Sequence, residues 1–155
     1  MSTNRPWPTP SRDLDDPAEI AELVRRFYGE VAQDDLLGPM FEEVAHVDWA
    51  EHLPKLTAFW CRALLGVEGY SGNPFGAHRR IHELRAFRLD HFERWLTIFE
   101  ETIDLGWEGD NAERAKELAR TVARVHSKQL VGTAYEAGVV VARRRAAGVE
   151  PRPVW

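Results

Sequence analysis

Apolar residues recur at helical spacing in four stretches of this 155-residue chain. The first stripe is Ile20, Leu23, Val24, Phe27, Tyr28 and Val31. The second is Leu53, Leu56, Phe59, Trp60, Ala63 and Leu64, and it stops at Gly66, a natural C-terminal cap. The third is Phe92, Trp95, Leu96, Phe99 and Ile103, stopping at Gly106; the fourth is Ala115, Leu118, Ala119, Val122 and Leu130. Each stripe has an Asp-x-x-Glu run at its start: Asp16 to Glu19, Asp48 to Glu51, Asp90 to Glu93 and Asp110 to Glu113. An Asp at the N-cap accepts from free backbone amides, and a Glu three residues on can reach back to the cap. Both charges suit the positive end of a helix, and Pro17 sits where a first-turn proline is welcome. No segment alternates with period two, so the pattern predicts an all-α domain with four main helices.

Two connections interrupt the stripes. Leu37-Gly38-Pro39-Met40-Phe41 predicts a turn carrying an exposed-looking Phe41. Val67 to Ala77, with Gly69, Gly72 and Pro74, leads into His78-Arg79-Arg80-Ile81-His82. A long polar segment with glycines in a helical domain is usually functional or mobile. Pro54 falls inside the second stripe, where it removes one helical hydrogen bond. The expectation is that His52 sits on an irregular turn, with the helix kinked or beginning near Pro54.

The domain is expected over residues 16–132. A flexible segment over 1–15 precedes it, and an extension over 133–155 follows. Val139-Val140-Val141-Ala142 and then Arg143-Arg144-Arg145 make that extension read as helical with a basic end. Such cations suit a helix C-terminus, or else meet a phosphate or a partner.

Composition changes this picture little: 44% hydrophobic and 29% charged residues describe an ordinary globular chain. A net charge of −5 argues against a nucleic-acid surface. Cys61 alone excludes an internal disulfide and a Cys-x-x-Cys-His haem attachment, and it fits a reducing compartment. No run approaches the ~18 apolar residues of a membrane span, and no apolar core marks a secretory leader. The expected location is the cytoplasm.

The candidate chemistry begins with six histidines: His46, His52, His78, His82, His91 and His126. No His-Glu-x-x-His, Gly-x-Ser-x-Gly, P-loop or dinucleotide fingerprint is present. His52 lies on a stripe with Leu56, Phe59 and Ala63, so it faces inward, as a hydrogen-bonded core histidine or as a ligand. By pattern alone His78 reads as a surface histidine, and Tyr28 and Trp95 as core aromatics. A non-haem metal hydrolase would need three converging ligands, and no compact pair occurs on one helix face. A helical interaction module without a cofactor would leave Tyr28, His52 and Trp95 as packing residues.

Taken in order, the residues carry a further signal. Phe27-Tyr28 is followed by Leu37-Gly38-Pro39-Met40-Phe41, His52, Phe59-Trp60 and Leu64-Leu65-Gly66. Then come Tyr70-Ser71-Gly72-x-Pro74, His78 and His91-Phe92-x-x-Trp95-Leu96-x-x-Phe99. From Ile20 to Leu130 this resembles the truncated haemoglobins, and within them the third group. The resemblance implies a two-over-two helical sandwich around one haem b (iron protoporphyrin IX), with a C-terminal extension longer than the family requires. It implies His78 as the proximal iron ligand and Tyr28, His52 and Trp95 as the distal pocket, with His52 at the mouth. Phe41 would pack flat on the haem, and Leu56, Phe59 and Leu64 would line the walls. Lys55, Arg79 or Arg80 would meet a propionate. The implied activity is reversible binding of O2, NO or CO at a five-coordinate iron, serving redox chemistry, detoxification or sensing more than bulk oxygen transport. Turnover as an NO dioxygenase or a peroxidase-like enzyme would need an external reductase.

Overall fold

In the computed structural model the described residues are 12–41, 48–68, 82–83 and 86–135. They form four α-helices: α1 (Pro17–Gln33), α2 (Trp49–Leu65), α3 (Leu89–Gly106) and α4 (Asp110–Val131). No strand occurs among them. α1 rests on α2 and α3, α3 rests on α4, and α2 touches α4. The contacts close a ring, so the pair α1–α2 lies over the pair α3–α4. All six residues of the first apolar stripe are buried in α1, as their spacing requires. On α4 the buried face is small: Ala112, Ala115, Ala119 and Ala123, continued by His126 and Ser127. Side chains that short let the neighbouring helices come close.

The helix starts follow two different rules. Asp16 accepts from the Ala18 amide at 2.8 Å, and Asp48 accepts from the Ala50 amide at 3.1 Å, so both are the caps the sequence predicts. The other two expected caps are not. α3 begins one residue before Asp90, at Leu89, and its free Arg88 amide donates to His91 Nδ1 at 2.8 Å. α4 begins at Asp110 itself, after Gly109. Its cap comes from far away in sequence. Asp13 accepts from the Asn111 amide at 3.0 Å and from the Ala112 amide at 2.8 Å. Gly109 has φ 136°, and a Cβ there would lie 2.5 Å from Asp13 Cγ, so the approach requires glycine.

This docking corrects the expected boundary at residue 15. Arg12 O accepts from the Glu108 amide at 2.8 Å, Leu14 O accepts from the Asn111 side chain at 3.0 Å, and Leu14 is fully buried. Residues 12–15 are therefore part of the packed domain. The expected extension is described only to Tyr135, whose amide donates to Ser127 Oγ at 2.6 Å, folding the chain back on α4. Its helical reading, over residues 136–155, lies outside the described residues.

Pro54 also departs from expectation. α2 starts at Trp49 under the Asp48 cap and runs through Pro54 to Gly66, which closes it at φ 69°. The His52 amide donates to Asp48 O at 2.9 Å, so His52 stands on a regular first turn. The proline comes two residues later, on the exposed side, and its cost is the one bond it cannot make to Ala50 and a crowded Ala50 carbonyl.

The long-range cap gives a direct test. Asp13→Ala leaves two α4 amides without their acceptor and is expected to lower stability by about 1–2 kcal/mol in chemical denaturation. Asp16→Ala removes a local cap of the same kind, so it should fall in the same range while leaving amide protection at Ala112 unchanged.

Candidate aromatic ligand pocket

α1 delivers Tyr28 to the interior one position after Phe27. The Phe27 ring meets Tyr28, Trp95 and Phe99 edge-on, with centroids at 4.6, 5.7 and 5.0 Å. Behind it, Phe99 lies parallel to Trp95 at 5.6 Å and to Trp60 at 4.9 Å. Edge-to-face and offset-parallel pairs are the favoured aromatic geometries, each worth roughly 0.5–1.5 kcal/mol beyond burial. This packing fixes the Trp95 ring, whose indole lies beside the Tyr28 hydroxyl and works against the rise in its pKa. The indole N–H and the phenolic O–H are both donors. Burial nevertheless pushes the Tyr28 pKa up to about 12, because an unsolvated phenolate costs more than the indole returns.

His52, on α2, turns the edge of its ring toward Tyr28 at 6.1 Å. It is half-buried, and its pKa is lowered first by desolvation and then by the Lys55 charge. Trp49, one helical turn earlier, touches Tyr28, Phe41 and His52, all at 5.7–5.8 Å. The sequence reading missed Trp49. The signal was there, because a residue three positions before His52 shares its helix face.

The Leu37–Phe41 turn supplies the next wall. Asp34 ends α1, and its carbonyl accepts from the Gly38 amide at 2.8 Å. A Cβ on Gly38 would stand 2.8 Å from Ala32 O, so only glycine allows the turn to lie this close to α1. Phe41 is 7% exposed. The expectation of an exposed Phe41 is thus corrected: the tight turn folds the ring inward. Phe41 and Trp95 then line a cavity of about 40 Å³ together with Leu37, Phe87, Phe92, Val122 and two histidines, His91 and His126. His91 offers Nδ1 to the Arg88 amide, and burial lowers the His126 pKa.

The other expected pocket residues fall in three places. Leu56 and Phe59 are half-buried against the core, Leu64 is buried in it, and none of the three lines that cavity. Lys55 is exposed and pairs with Glu51 at 3.2 Å. His78, Arg79 and Arg80 lie outside the described residues. His82 is described: its Nδ1 accepts from the Phe87 amide at 2.9 Å, and its ring lies parallel to Phe87 at 6.2 Å. Among the described residues no three His, Cys, Asp or Glu side chains converge as a metal site, which is what the hydrolase reading would need of them. No helix among them is long and apolar enough to cross a membrane.

The residues suit a flat apolar cofactor in kind. One face has aromatic and aliphatic walls, and the neighbouring cluster holds a buried hydroxyl, an indole and an imidazole. The open volume of this one cavity is far below the ~300 Å³ or more of a cofactor pocket.

The buried imidazoles set the acid limb of stability. His52 and His126 both hold pKa values below the ordinary ~6.5, so the unfolded chain binds protons first as pH falls. Stability is expected to drop below pH ~6.5 and to keep dropping until the folded values are passed. Urea denaturation from pH 7.5 to 5 should show this slope, and His126→Gln should flatten it. At the alkaline end, stability should fall between about pH 10, where an unfolded tyrosine ionises, and about 12, where Tyr28 does.

Comparison with known proteins places the arrangement. Residues 15–128 match the family described as bacterial-like globin. The group 3 truncated haemoglobin of Campylobacter jejuni is 37% identical over 89 residues, spanning 56% of this chain and 68% of that protein. The crystal structure of the group III truncated haemoglobin from Campylobacter jejuni superposes with a TM-score of 0.68 at 30% identity, over 77% of this chain and 95% of that one. The helical order, the ring of helix contacts and these matches lead to one conclusion: the chain belongs to the bacterial-like globins, a family of haem proteins that bind small gaseous ligands, and is a truncated haemoglobin of the third group.

Proposed function

We propose that this chain is a haem-b protein that binds O2, NO or CO at a five-coordinate iron, and that it serves chemistry on a held ligand more than bulk O2 transport. The observation that carries this reading is the buried Tyr28 hydroxyl beside the Trp95 indole, two donors set together in an aromatic cluster. Haem b, when bound, supplies an iron that takes one small ligand and shifts electron density onto it. Tyr28 and Trp95 are the donors that answer this charge. A charge-assisted hydrogen bond is worth about 1.5–3 kcal/mol, which slows release roughly tenfold or more. His52 stands at the mouth, neutral at pH 7 because burial and Lys55 both disfavour its charge. Phe41 offers a flat ring to the macrocycle. The Lys55–Glu51 pair is exposed and weakly held, so Lys55 can turn to a propionate at little cost.

The proximal ligand in this proposal is His78. His82, four residues on, is the rival by position. Its Nδ1 already accepts a backbone amide, so the ring hydrogen of the neutral form lies on Nε2. The one lone pair of the neutral ring is therefore already engaged. His78, with Arg79 or Arg80 near a propionate, is the better assignment.

Slow release favours turnover over delivery. Conversion of NO and O2 to nitrate consumes one electron per cycle, and peroxidase-like turnover also draws electrons. The sequence has no flavin or nicotinamide fingerprint, so an external reductase is the expected partner. Buried, unpaired Cys61 suits the reducing cytoplasm in which such a partner works.

Absorption spectra of the ferric, ferrous, O2 and CO forms test the proposal first. A Soret band is expected to shift with each ligand, to be lost or altered in His78→Ala and to survive in His82→Ala. The opposite pattern would move the ligand to His82, and a protein that takes up no haem on reconstitution would end the reading. Tyr28→Phe is expected to raise the O2 dissociation rate about tenfold or more. An O2 dissociation rate in the wild type like that of a fast carrier would count against chemistry on a held ligand.

A further inference from the structure

We propose that the Asp34–Arg94 ion pair is a positioning device for the pocket, setting how far the Phe41 turn stands from Trp95. The inference rests on the reading of that pocket as the haem and ligand site. Arg94 Nε donates to Asp34 Oδ1 at 2.7 Å, across 60 residues of chain, and the side chains are only 11% and 4% exposed. A pair buried to this degree is a poor stability device, because desolvation cancels most of its attraction. What it does well is fix geometry, and both of its ends are tied to pocket walls.

The Asp34 end holds the turn. Oδ2 accepts from the Leu36 amide at 3.2 Å and from the Leu37 amide at 3.0 Å, while the Asp34 carbonyl takes the Gly38 amide. One residue therefore closes α1 and winds the turn that carries Leu37 and Phe41 into the cavity wall. The Arg94 end holds α3. Arg94 and Trp95 are successive helical residues, about 100° apart around the axis. When Arg94 reaches the end of α1, Trp95 faces the cavity and Tyr28. A slide or roll of α3 that freed Trp95 would have to break the pair. The same carboxylate thus holds both walls, and Tyr28 lies between them, with its ring 6.4 Å from Phe41 and its hydroxyl beside the Trp95 indole.

Neither Asp34 nor Arg94 touches the ligand space in this account, so both act through Phe41 and Trp95. Arg94→Lys keeps the charge and can still reach the carboxylate. Arg94→Met removes the charge at similar size. Asp34→Asn keeps an acceptor for the turn amides and loses the ion pair.

The test compares these three variants with the wild type by two readouts. In haem-loaded protein, stopped-flow O2 dissociation is expected to accelerate on the order of three- to tenfold in Arg94→Met and Asp34→Asn, with Arg94→Lys returning most of the way to wild type. In haem-free protein, the Trp95 indole proton, assigned by its loss in Trp95→Phe, is expected to exchange with water faster in Arg94→Met than in Arg94→Lys. Variants that lower the thermal midpoint but leave both the O2 rate and the indole proton unchanged would reduce the pair to a structural contact and overturn the proposal. If the wild type takes up no haem, the pocket reading fails first, and the indole exchange still decides whether the pair positions Trp95.

Discussion

The constraint on which the rest depends is the junction of Phe27, Phe99, Trp95 and Trp60. Phe27 belongs to α1, Trp60 to α2, and Trp95 and Phe99 to α3. Three helices are therefore locked by rings that cannot slide without losing their edge or parallel contacts. Interiors are packed like crystals, so a ring held on two faces has little freedom. That rigidity is transferred to the polar part of the pocket. Trp95 is held by Phe99 and Phe27, Tyr28 is held by Trp95, and His52 and Trp49 lean on Tyr28. The Tyr28 and Trp95 rings are thus held in place by packing alone.

Polar groups in such a core carry a cost that the structure meets locally. The Tyr28 hydroxyl lies beside the indole, His91 has the Arg88 amide, and Asp34 has Arg94 together with two turn amides. The remaining polar wall is made of imidazoles kept neutral by burial.

Much of this was legible in the chain. Stripes of period 3.6 located all four helices, since burial and spacing are the same fact seen twice. Asp16, Asp48 and Gly66 marked their helix ends because a local cap needs only its neighbours. Asp90 and Asp110 misled for the complementary reason: the donors there are met by His91 and by distant Asp13, and spacing says nothing of a partner about a hundred residues away. Tyr28, Phe41 and Trp95 were legible as a family pattern. The burial of Phe41 was not, because it depends on the close approach of Gly38 to Ala32. The Asp34–Arg94 pair was invisible for a similar reason: two ordinary charged residues become informative only when a fold encloses them. Pro54 was over-read: α2 runs through it without a break, despite one lost hydrogen bond and a crowded Ala50 carbonyl.

The tie between Asp13 and the start of α4 also bears on how the chain is made. Residues 12–15 are synthesised well before their partners at 108–112, which follow only after most of the domain has been made. Until then the arm has nothing to hold, and Leu14 is an apolar side chain without a home. Closure of that circuit spans nearly the whole domain, the kind of long-range contact that makes folding slow and late. The arm is therefore made ahead of the helices it joins and is among the last parts of the domain to be secured.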